Sequence, residues 1–407
     1  MKKASRVLGL VILAIALVMV AGPAAQGADD KVMKIGICMP LAGPVGAWGR
    51  PIADGIILLA DEYNQKGGIN IGGEMYKIEV READTGMTAE GATASARRLL
   101  EQDKVDWIVG AMATFTTLSM QEVTEPAKIL TLNTSSNIET MVKSDGKDYS
   151  FRGWMPYSEI VPAALRWLHR THPEIKRVAL FEVNLDSVWA GHRLLVEFIP
   201  EVGMEIVYNE FYEWGTDDFM PYMVKILSAK PDLIYMASGL PQYLALTIKA
   251  ARDMGYKGRF MAQTMADLSV MGPIAGMKNL EGLYTTGYPE TAPYASAEEL
   301  AWQKKFQDKY KSTFQFSLWT TPPASAILQA YEEAGTMDVN KVIPLLEDGR
   351  IWKTACGVDG IFGNTQRYGQ PHQWMAPQVI FEVKNGELIP IAEIPVEDMY
   401  YAWQGKD

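Results

Sequence analysis

Short apolar segments alternate with longer amphipathic segments along most of this 407-residue chain, and this alternation limits the folds open to it. Runs such as 34–39, 76–83 and 177–182 have the length of buried strands, and the segments between them place apolar residues at helical spacing. Strands that alternate with helices of this length predict parallel sheets covered by helices. The chain carries too many such units for one open sheet, so we expect an α/β protein with two similar lobes.

The first 27 residues have the pattern of a secretory signal peptide. Lys2, Lys3 and Arg6 precede an apolar stretch over 7–20, and small residues follow it. This stretch is too short for a membrane span, so we expect an exported, periplasmic protein whose mature chain is not embedded in a membrane. Without residues 1–27 the chain has 35 basic and 49 acidic side chains, a formal charge of −14, which argues against nucleic acid as a partner.

The sequence does not contain the common motifs of catalytic or cofactor-binding sites. The glycine-containing segment 43–49 is predicted to be a loop after the first strand, but Pro44 and Trp48 interrupt the dinucleotide-binding pattern. The four histidines and two cysteines lack the spacing of metal ligands. Cys38 and Cys356 are expected to be small buried residues, and a disulfide between them stays open. The sequence therefore predicts no enzyme, no cofactor and no metal.

Hydroxyl-bearing residues follow two successive predicted strands, at 107–109 and 129–132. Ligands of open α/β folds bind outside the carboxyl ends of strands, where helix N-termini present unpaired N–H groups to anions. The alternative is that these hydroxyls only cap their own helices. Two such tips side by side predict a polar cradle for an acid group. The candidates are Ala113, Thr114, Thr134 and Ser136.

Three of the eleven tryptophans, Trp48, Trp154 and Trp189, stand beside predicted strand ends. Packing in the core is the alternative explanation for each, since tryptophan is usually much buried. If they converge on one cleft, they would form walls for a flat or apolar ligand.

The order and spacing of several segments make the chain resemble the type I periplasmic solute-binding proteins of ABC transporters, and in particular the leucine/isoleucine/valine-binding proteins. The segments include VDWIVGAMATFTT, LTLNTSSNIE, AARDMGYKGRFMAQ and LEGLYTTGYP. The resemblance implies two Rossmann-like lobes with parallel sheets, joined by a three-segment hinge. Lobe one would span 32–153 plus 284–360, and lobe two 154–283 plus 361–400.

The same resemblance implies residue roles. Thr114, Thr134 and Ser136 match positions that hold the carboxylate of an amino acid, and Trp48 and Trp189 match aromatic walls. The position that pairs the ligand ammonium falls on Thr264 or Met265, and Asp267 is the nearest acid. An ammonium buried without a charge partner is costly. Two ligand chemistries therefore stay open: an amino acid with an unusual ammonium site, or a carboxylate or amide without one, aromatic solutes included.

The expected function is the binding component of an ABC-type uptake transporter. A small amino acid-like or carboxylate-bearing solute would bind between the lobes, and a membrane permease would recognise the closed form of a monomer. The alternative is a ligand-sensing module of the same fold that reports to a membrane receptor. A Rossmann-type enzyme is a third hypothesis, which tight binding of a nicotinamide cofactor would support.

Overall fold

The strands of this protein form two mixed sheets, each with a parallel centre and antiparallel strands at an edge. The computed structural model describes residues 31–134, 142–155, 157–236, 241–263, 266–288, 293–312 and 315–401, so the predicted signal peptide lies outside the described residues. The strands are β1 (Val32–Met39), β2 (Ile69–Ile71), β3 (Glu74–Asp84), β4 (Trp107–Gly110), β5 (Thr131–Asn133), β6 (Ser150–Arg152), β7 (Arg177–Val183), β8 (Glu205–Tyr212), β9 (Leu233–Met236), β10 (Arg259–Ala262), β11 (Leu283–Gly287), β12 (Ile361–Gly363), β13 (Gln373–Met375), β14 (Gln378–Lys384) and β15 (Glu387–Ile394).

Helices connect most of the strands and cover the sheets. They are α1 (Gly43–Gln65), α2 (Ala89–Arg98), α3 (Thr114–Thr124), α4 (Tyr157–Thr171), α5 (Asp186–Glu201), α6 (Met220–Ser228), α7 (Pro241–Asp253), α8 (Leu268–Ala275), α9 (Met277–Leu280), α10 (Ala297–Tyr310), α11 (Thr321–Ala334), α12 (Val339–Leu346), α13 (Thr365–Tyr368) and α14 (Val396–Tyr401). Within the described segments, no helix has both the length and the apolar character that crossing a bilayer requires.

Three chain crossings join the two sheets. The first sheet has the strand order β12-β13-β6-β5-β4-β1-β3-β2, and the second has the order β15-β14-β11-β10-β9-β7-β8. The chain therefore passes between the sheets after β6, after β11 and after β13. The predicted fold class, an α/β protein of two lobes with a three-segment connection, is confirmed.

Strand pairing divides the C-terminal part of the chain later than the expected bound at 360/361. β12 pairs with β13, and β13 joins β6 through the pair Gln373 and Arg152, so both short strands belong to the first sheet. The third crossing consequently comes after β13. At the other expected bound, 283/284, β11 pairs with β10 and so belongs to the second sheet. Segments 32–153 and 154–283 otherwise follow the two sheets, and the bounds of the lobes stay a prediction.

The segment 43–49 is the beginning of α1, so its prediction as a loop was wrong. Proline is tolerated in the first turn of a helix, where its missing N–H has no partner to lose. Gly46 and Gly49 let the helix start close to the end of β1: an added Cβ would lie 2.8 Å from the Leu41 carbonyl oxygen and 2.0 Å from the Pro40 carbonyl oxygen, respectively. Two other helices begin with ordinary helix-start chemistry, because Ser296 Oγ accepts from the Glu299 N–H and α11 carries its prolines in the first turn.

Both cysteines are buried and not bonded to each other, as expected of small core residues. Burial raises the pKa of the Cys38 thiol and of the Cys356 thiol to about 12. Neither thiol is therefore a nucleophile at neutral pH.

A buried polar network ties the first crossing to the first lobe. The Arg152 guanidinium donates to Gln373 and, over 2.8 Å, to the Tyr368 hydroxyl. Tyr368 in turn donates to Glu159 Oε1 over 2.7 Å, and Asn364 Nδ2 donates to Glu159 Oε2 over 2.6 Å. Glu159 lies on α4, beyond the crossing, and both charged groups are fully buried. The network therefore fixes α4 against the edge of the first sheet.

Replacing Arg152 by Met should lower the free energy of unfolding by about 3–5 kcal/mol, because a buried network that loses its cation leaves a buried carboxylate less compensated. Urea denaturation followed by circular dichroism measures this. The control is Arg97→Met, since the Arg97–Glu101 pair is exposed and exposed pairs contribute little. Equal effects of the two substitutions would show that the network does not stabilise the crossing.

Candidate ligand-binding site

The carboxyl ends of β4 and β5 meet at one edge of the first sheet. The two strands are parallel neighbours, with Ile108 opposite Thr131 and Val109 opposite Leu132. Beyond the strands, the Ala111 carbonyl accepts from both the N–H and the hydroxyl of Thr134, each over 3.2 Å. The two predicted strand tips are therefore in direct contact.

The tip of β4 has a backbone that few residues can adopt. Gly110 has φ +141°, and an added Cβ would lie 2.2 Å from the Cys38 carbonyl oxygen, so only glycine fits there. Ala113 has φ +69° and ψ 156°, a region that residues other than glycine adopt only at a cost of about 1–3 kcal/mol. Such strain persists where the surrounding structure enforces it, and it commonly marks a ligand site.

Two threonine hydroxyls hold this strained turn in place. Thr116 Oγ1 donates to the carbonyls of Met112 and, over 3.0 Å, Ala113. Thr117 Oγ1 donates to Ala113 over 2.8 Å and lies 3.1 Å from the Ala111 carbonyl. Both side chains are fully buried. These hydroxyls therefore shape the turn and do not face a ligand.

The capping alternative does not hold for α3. Its N-cap residue is Ala113, whose side chain has no acceptor to offer to the first N–H groups of the helix. The first N–H groups of a helix have no partner within the helix and carry partial positive charge. Thr114, the first helical residue, is partly exposed at this end. The tip thus combines donor groups with a strained backbone and can receive an acid group.

The other predicted site residues lie in several environments. Thr134 is fully buried and its hydroxyl donates inward to Ala111. Trp48 is 50% exposed on the first turns of α1, and Trp189 is 46% exposed on the first turn of α5. Ser136 and Thr264 lie outside the described residues. The described contacts thus join Thr134 to Ala111, two residues before Ala113, and the two tryptophans lie on the helices that follow β1 and β7.

Trp189 is held at the carboxyl end of β7. Its Nε1 donates to Asn184 Oδ1 over 3.0 Å, and the Asn184 amide donates to Glu213 Oε1 over 2.8 Å. Glu213 comes directly after β8, the neighbour of β7. The indole is therefore fixed in orientation although nearly half of it is exposed, as a binding wall requires.

Asp267 is the N-cap of α8. Its Oδ1 accepts from the Ser269 hydroxyl over 2.6 Å and from the backbone N–H groups of Ser269 and Val270. The hydrogen bond from the Ser269 hydroxyl, followed by those from the backbone, lowers the pKa of this carboxyl. Capping accounts for its position. Its role as the ammonium partner stays a prediction.

Sequence reasoning missed an aromatic group at the first crossing. Trp154 follows β6, and its ring centroid lies 5.9 Å from that of Trp319, which ends the 3-10 turn Gln315–Trp319. Phe316 of the same turn packs edge-on against Trp319 at 5.1 Å. Trp154 had been singled out in the sequence, but no local pattern could join it to residues so distant along the chain.

A cavity of about 630 Å³ opens at the opposite edge of the second sheet, beside the amino ends of β7, β9 and β10. Its charged lining includes Lys230, Asp232, Lys257 and Arg259. Asp232 is already bound by the backbone N–H groups of Lys176 and Arg177, both over 2.9 Å. Volume alone therefore favours a place where the polar groups serve the scaffold. We assign the candidate site to the carboxyl edges, where open parallel sheets bind ligands.

The structure thus has two sheets joined by three crossings, with the uncapped start of α3 at an edge of the first sheet and the hydrogen-bonded, half-exposed Trp189 at an edge of the second. The model of the periplasmic binding protein family matches residues 32–387. This chain belongs to that family, as a type I periplasmic binding protein of the branched-chain amino acid group. The family is one of binding proteins rather than enzymes.

Known relatives span nearly the whole chain. The leucine-, isoleucine-, valine-, threonine- and alanine-binding protein of Pseudomonas aeruginosa is 24% identical over 354 residues, covering 85% of this chain and 89% of the relative. The closed form of a protein of the same name from Brucella ovis has a TM-score of 0.75 at 19% identity, covering 91% and 96% of the two chains. LivJ of Streptococcus pneumoniae, a substrate-binding protein of a branched-chain amino acid transporter solved with isoleucine, has a TM-score of 0.66 at 20% identity, covering 90% and 99%. These two structures support the fold alone.

Replacing Ala113 by Gly should raise the free energy of unfolding by about 1 kcal/mol. Relief of about 1–3 kcal/mol of strain exceeds the chain entropy of about 0.4–1 kcal/mol that glycine adds. Ala94→Gly, at an exposed position of α2, is the control and should lose about 0.5–1 kcal/mol. Chemical denaturation of both variants checks this, and a loss at both positions would mean that Ala113 is not strained.

Proposed function

We propose that this protein is the solute-binding component of an ABC-type uptake transporter. It would be exported by the signal peptide 1–27 and act as a monomer in the periplasm. It would bind a small amino acid-like or carboxylate-bearing solute, aromatic solutes included, in the cleft between its lobes. The closed form would then be recognised by a membrane permease, with no catalytic step.

The observation that carries this proposal is the tip of β4. The uncapped N-terminus of α3, the strained Ala113 and the contact with Thr134 place helix N–H groups and a partly exposed Thr114 at one strand edge. An anion is stabilised at such an end by the N–H groups and by the helix dipole. The Pseudomonas aeruginosa relative, named for leucine, isoleucine, valine, threonine and alanine, supports an amino acid-like solute.

The second part of the proposal is closure. The acid group would dock on the first lobe, and the body of the solute would lie between Trp48 and Trp189. Both indoles are about half exposed, and covering them with a solute would remove apolar surface from water. The second lobe would close over the solute by rotation at the three crossings, a hinge motion that ligand contacts in the closed state would favour.

A thermal-shift screen over amino acids, aromatic acids, aliphatic acids and amides tests the proposal. A solute at a hundred times its dissociation constant should stabilise the protein by about 2.7 kcal/mol. Thr114→Val should weaken binding of a carboxylate hit by about 1–3 kcal/mol, because a buried charge loses a donor.

Thr171→Val serves as the matched control, since the Thr171 hydroxyl donates to the Trp167 carbonyl at the far end of α4 and should not affect binding. If no solute in the screen raises the melting temperature, the proposed function is wrong. If Thr114→Val binds like the original protein, Thr114 is not part of the site.

Trp48→Ala should weaken solute binding while the free energy of unfolding falls by much less than the ~3–5 kcal/mol typical of core aromatic residues. The reason is that Trp48 is half exposed. Trp302→Ala, at a buried position of α10, is the comparison and should show the full loss. Calorimetric titration and urea denaturation measure the two effects, and an equal loss of stability would identify Trp48 as a core residue.

A further inference from the structure

Three aromatic side chains form a group where the chain first leaves the first sheet. We call this group, Trp154, Phe316 and Trp319, the hinge aromatic cluster. The planes of the two indoles are inclined by 57°, and Phe316 stands at 88° to Trp319. All three side chains are partly exposed. Phe316 and Trp319 also pack against the main hydrophobic core, and the partly exposed remainder of the cluster is accessible from outside.

The cluster is attached to the tip of β5, next to Thr134. The Gly153 N–H donates to the Asn133 carbonyl over 2.9 Å, which places Trp154 beside that strand end. An added Cβ on Gly153 would lie 2.2 Å from the Trp319 carbonyl oxygen, so the two backbone segments are in close contact. On the other side, Gln373 Nε2 donates to the Trp154 carbonyl over 3.0 Å. The cluster thus lies next to the strand tips that would hold the acid group.

Two polar side chains on either side of Gly153 have no hydrogen-bond partner among the residues that the structure describes. Neither amide atom of Asn133 makes a hydrogen bond, although the residue is fully buried at the end of β5. The Thr320 hydroxyl, directly after Trp319, is also buried and without a partner. Buried amides and hydroxyls are nearly always hydrogen-bonded, so these atoms mark a place where a bound group would complete the bonding. They are neutral groups, so they provide no charge partner for an ammonium group.

Three acids at these edges, among the residues that the structure describes, already accept hydrogen bonds from neighbouring residues. Asp84 Oδ1 accepts from the N–H groups of Leu41 and Gly86, over 3.0 and 2.9 Å. Asp267 caps α8, and Glu213 accepts from Asn184. Flat π surfaces and neutral hydrogen-bonding groups, beside an anion-binding helix end, match an arene that carries a carboxylate better than they match an α-amino acid.

We propose that the solute is an aromatic carboxylate without an α-ammonium group, and that its ring stacks on the hinge aromatic cluster while its acid group binds at the tip of β4. This inference rests on the proposed function and names its class of solute. The aromatic faces of Trp154 and Trp319 would determine specificity. Trp48 and Trp189 would cover the solute on closure.

Isothermal titration calorimetry with phenylpropanoate, L-phenylalanine, L-leucine and cyclohexylpropanoate tests the inference. Phenylpropanoate should bind at least about tenfold more tightly than the two amino acids, which carry an ammonium, and than the saturated acid, which lacks the ring. Tighter binding of L-leucine or L-phenylalanine overturns the inference and leaves the proposed function standing. If none of the four compounds binds and the thermal-shift screen is also negative, the inference and the proposed function are both wrong.

Variants of the full chain separate the cluster from the rest of the site. Trp154→Leu should weaken phenylpropanoate binding about tenfold, whereas Trp154→Phe, which keeps a ring, should stay within about threefold. Trp214→Leu is the matched control, because Trp214 is 54% exposed and packs on Tyr243 in the second lobe. It should bind like the original chain.

Circular dichroism checks that each variant is folded. If Trp154→Leu does not fold, Trp154→Phe still tests the inference. Unchanged affinity in Trp154→Leu, or a tenfold loss in Trp154→Phe, removes the cluster from the site. Tighter binding of a trimethylammonium probe such as glycine betaine than of phenylpropanoate also overturns the inference, because the rings would then recognise a cation.

Discussion

The carbonyl group of Ala111 is the point on which the geometry of the candidate site depends. It accepts hydrogen bonds from the N–H and the hydroxyl of Thr134, and the Thr117 hydroxyl lies within hydrogen-bonding distance. A buried carbonyl needs such partners, and here the partners come from the next strand and from the following helix. The bonds join two strand tips and hold the turn in which Ala113 is strained. The same contacts explain why α3 begins without a side-chain cap.

A stable helix start and the binding of an anion require different residues at this edge of the sheet. A stable helix start would use a serine, threonine, aspartate or asparagine as its N-cap, and the chain has Ala113 there. Thr116 and Thr117 lie within the first turn of the helix, and their hydroxyls hold the carbonyls of the preceding turn. Local stability is given up at a position where free N–H groups are useful for binding an anion. This departure from ordinary helix chemistry supports the proposal that the tip of β4 binds a ligand.

The buried Arg152, Tyr368 and Glu159 network gives the lobes a defined connection at the same edge. Its members come from β6, α13 and α4, so it brings three separate parts of the chain together. A charged network inside a protein contributes little net stability but penalises arrangements that leave a charge unpaired. The proposed closure would have to preserve these bonds, and rotation would then take place at the crossings themselves.

Local sequence patterns determined the order of strands and helices, the two-lobed α/β class and the polar character of the tips after β4 and β5. Hydrophobic period and chain breaks act over a few residues, and for that reason these features could be predicted. The local patterns gave a wrong prediction at 43–49. There α1 approaches residues 40–41 so closely that glycines are required, and a segment with several glycines resembles a loop. Short strands such as β12 and β13 were also not predicted, because three residues carry too little pattern.

Only the tertiary structure decided which side chains share a surface. It turned the Thr134 hydroxyl inward to Ala111, made Asp267 a helix cap and paired Trp154 with Trp319. These outcomes depend on strand order and on the path of the crossings, which join residues far apart along the chain. The sequence thus determined which groups are available at the ends of the strands. The packing of the two sheets decided which of them face a solute and which of them serve the fold, because a buried hydroxyl bonds to whatever acceptor the neighbouring strand brings within reach.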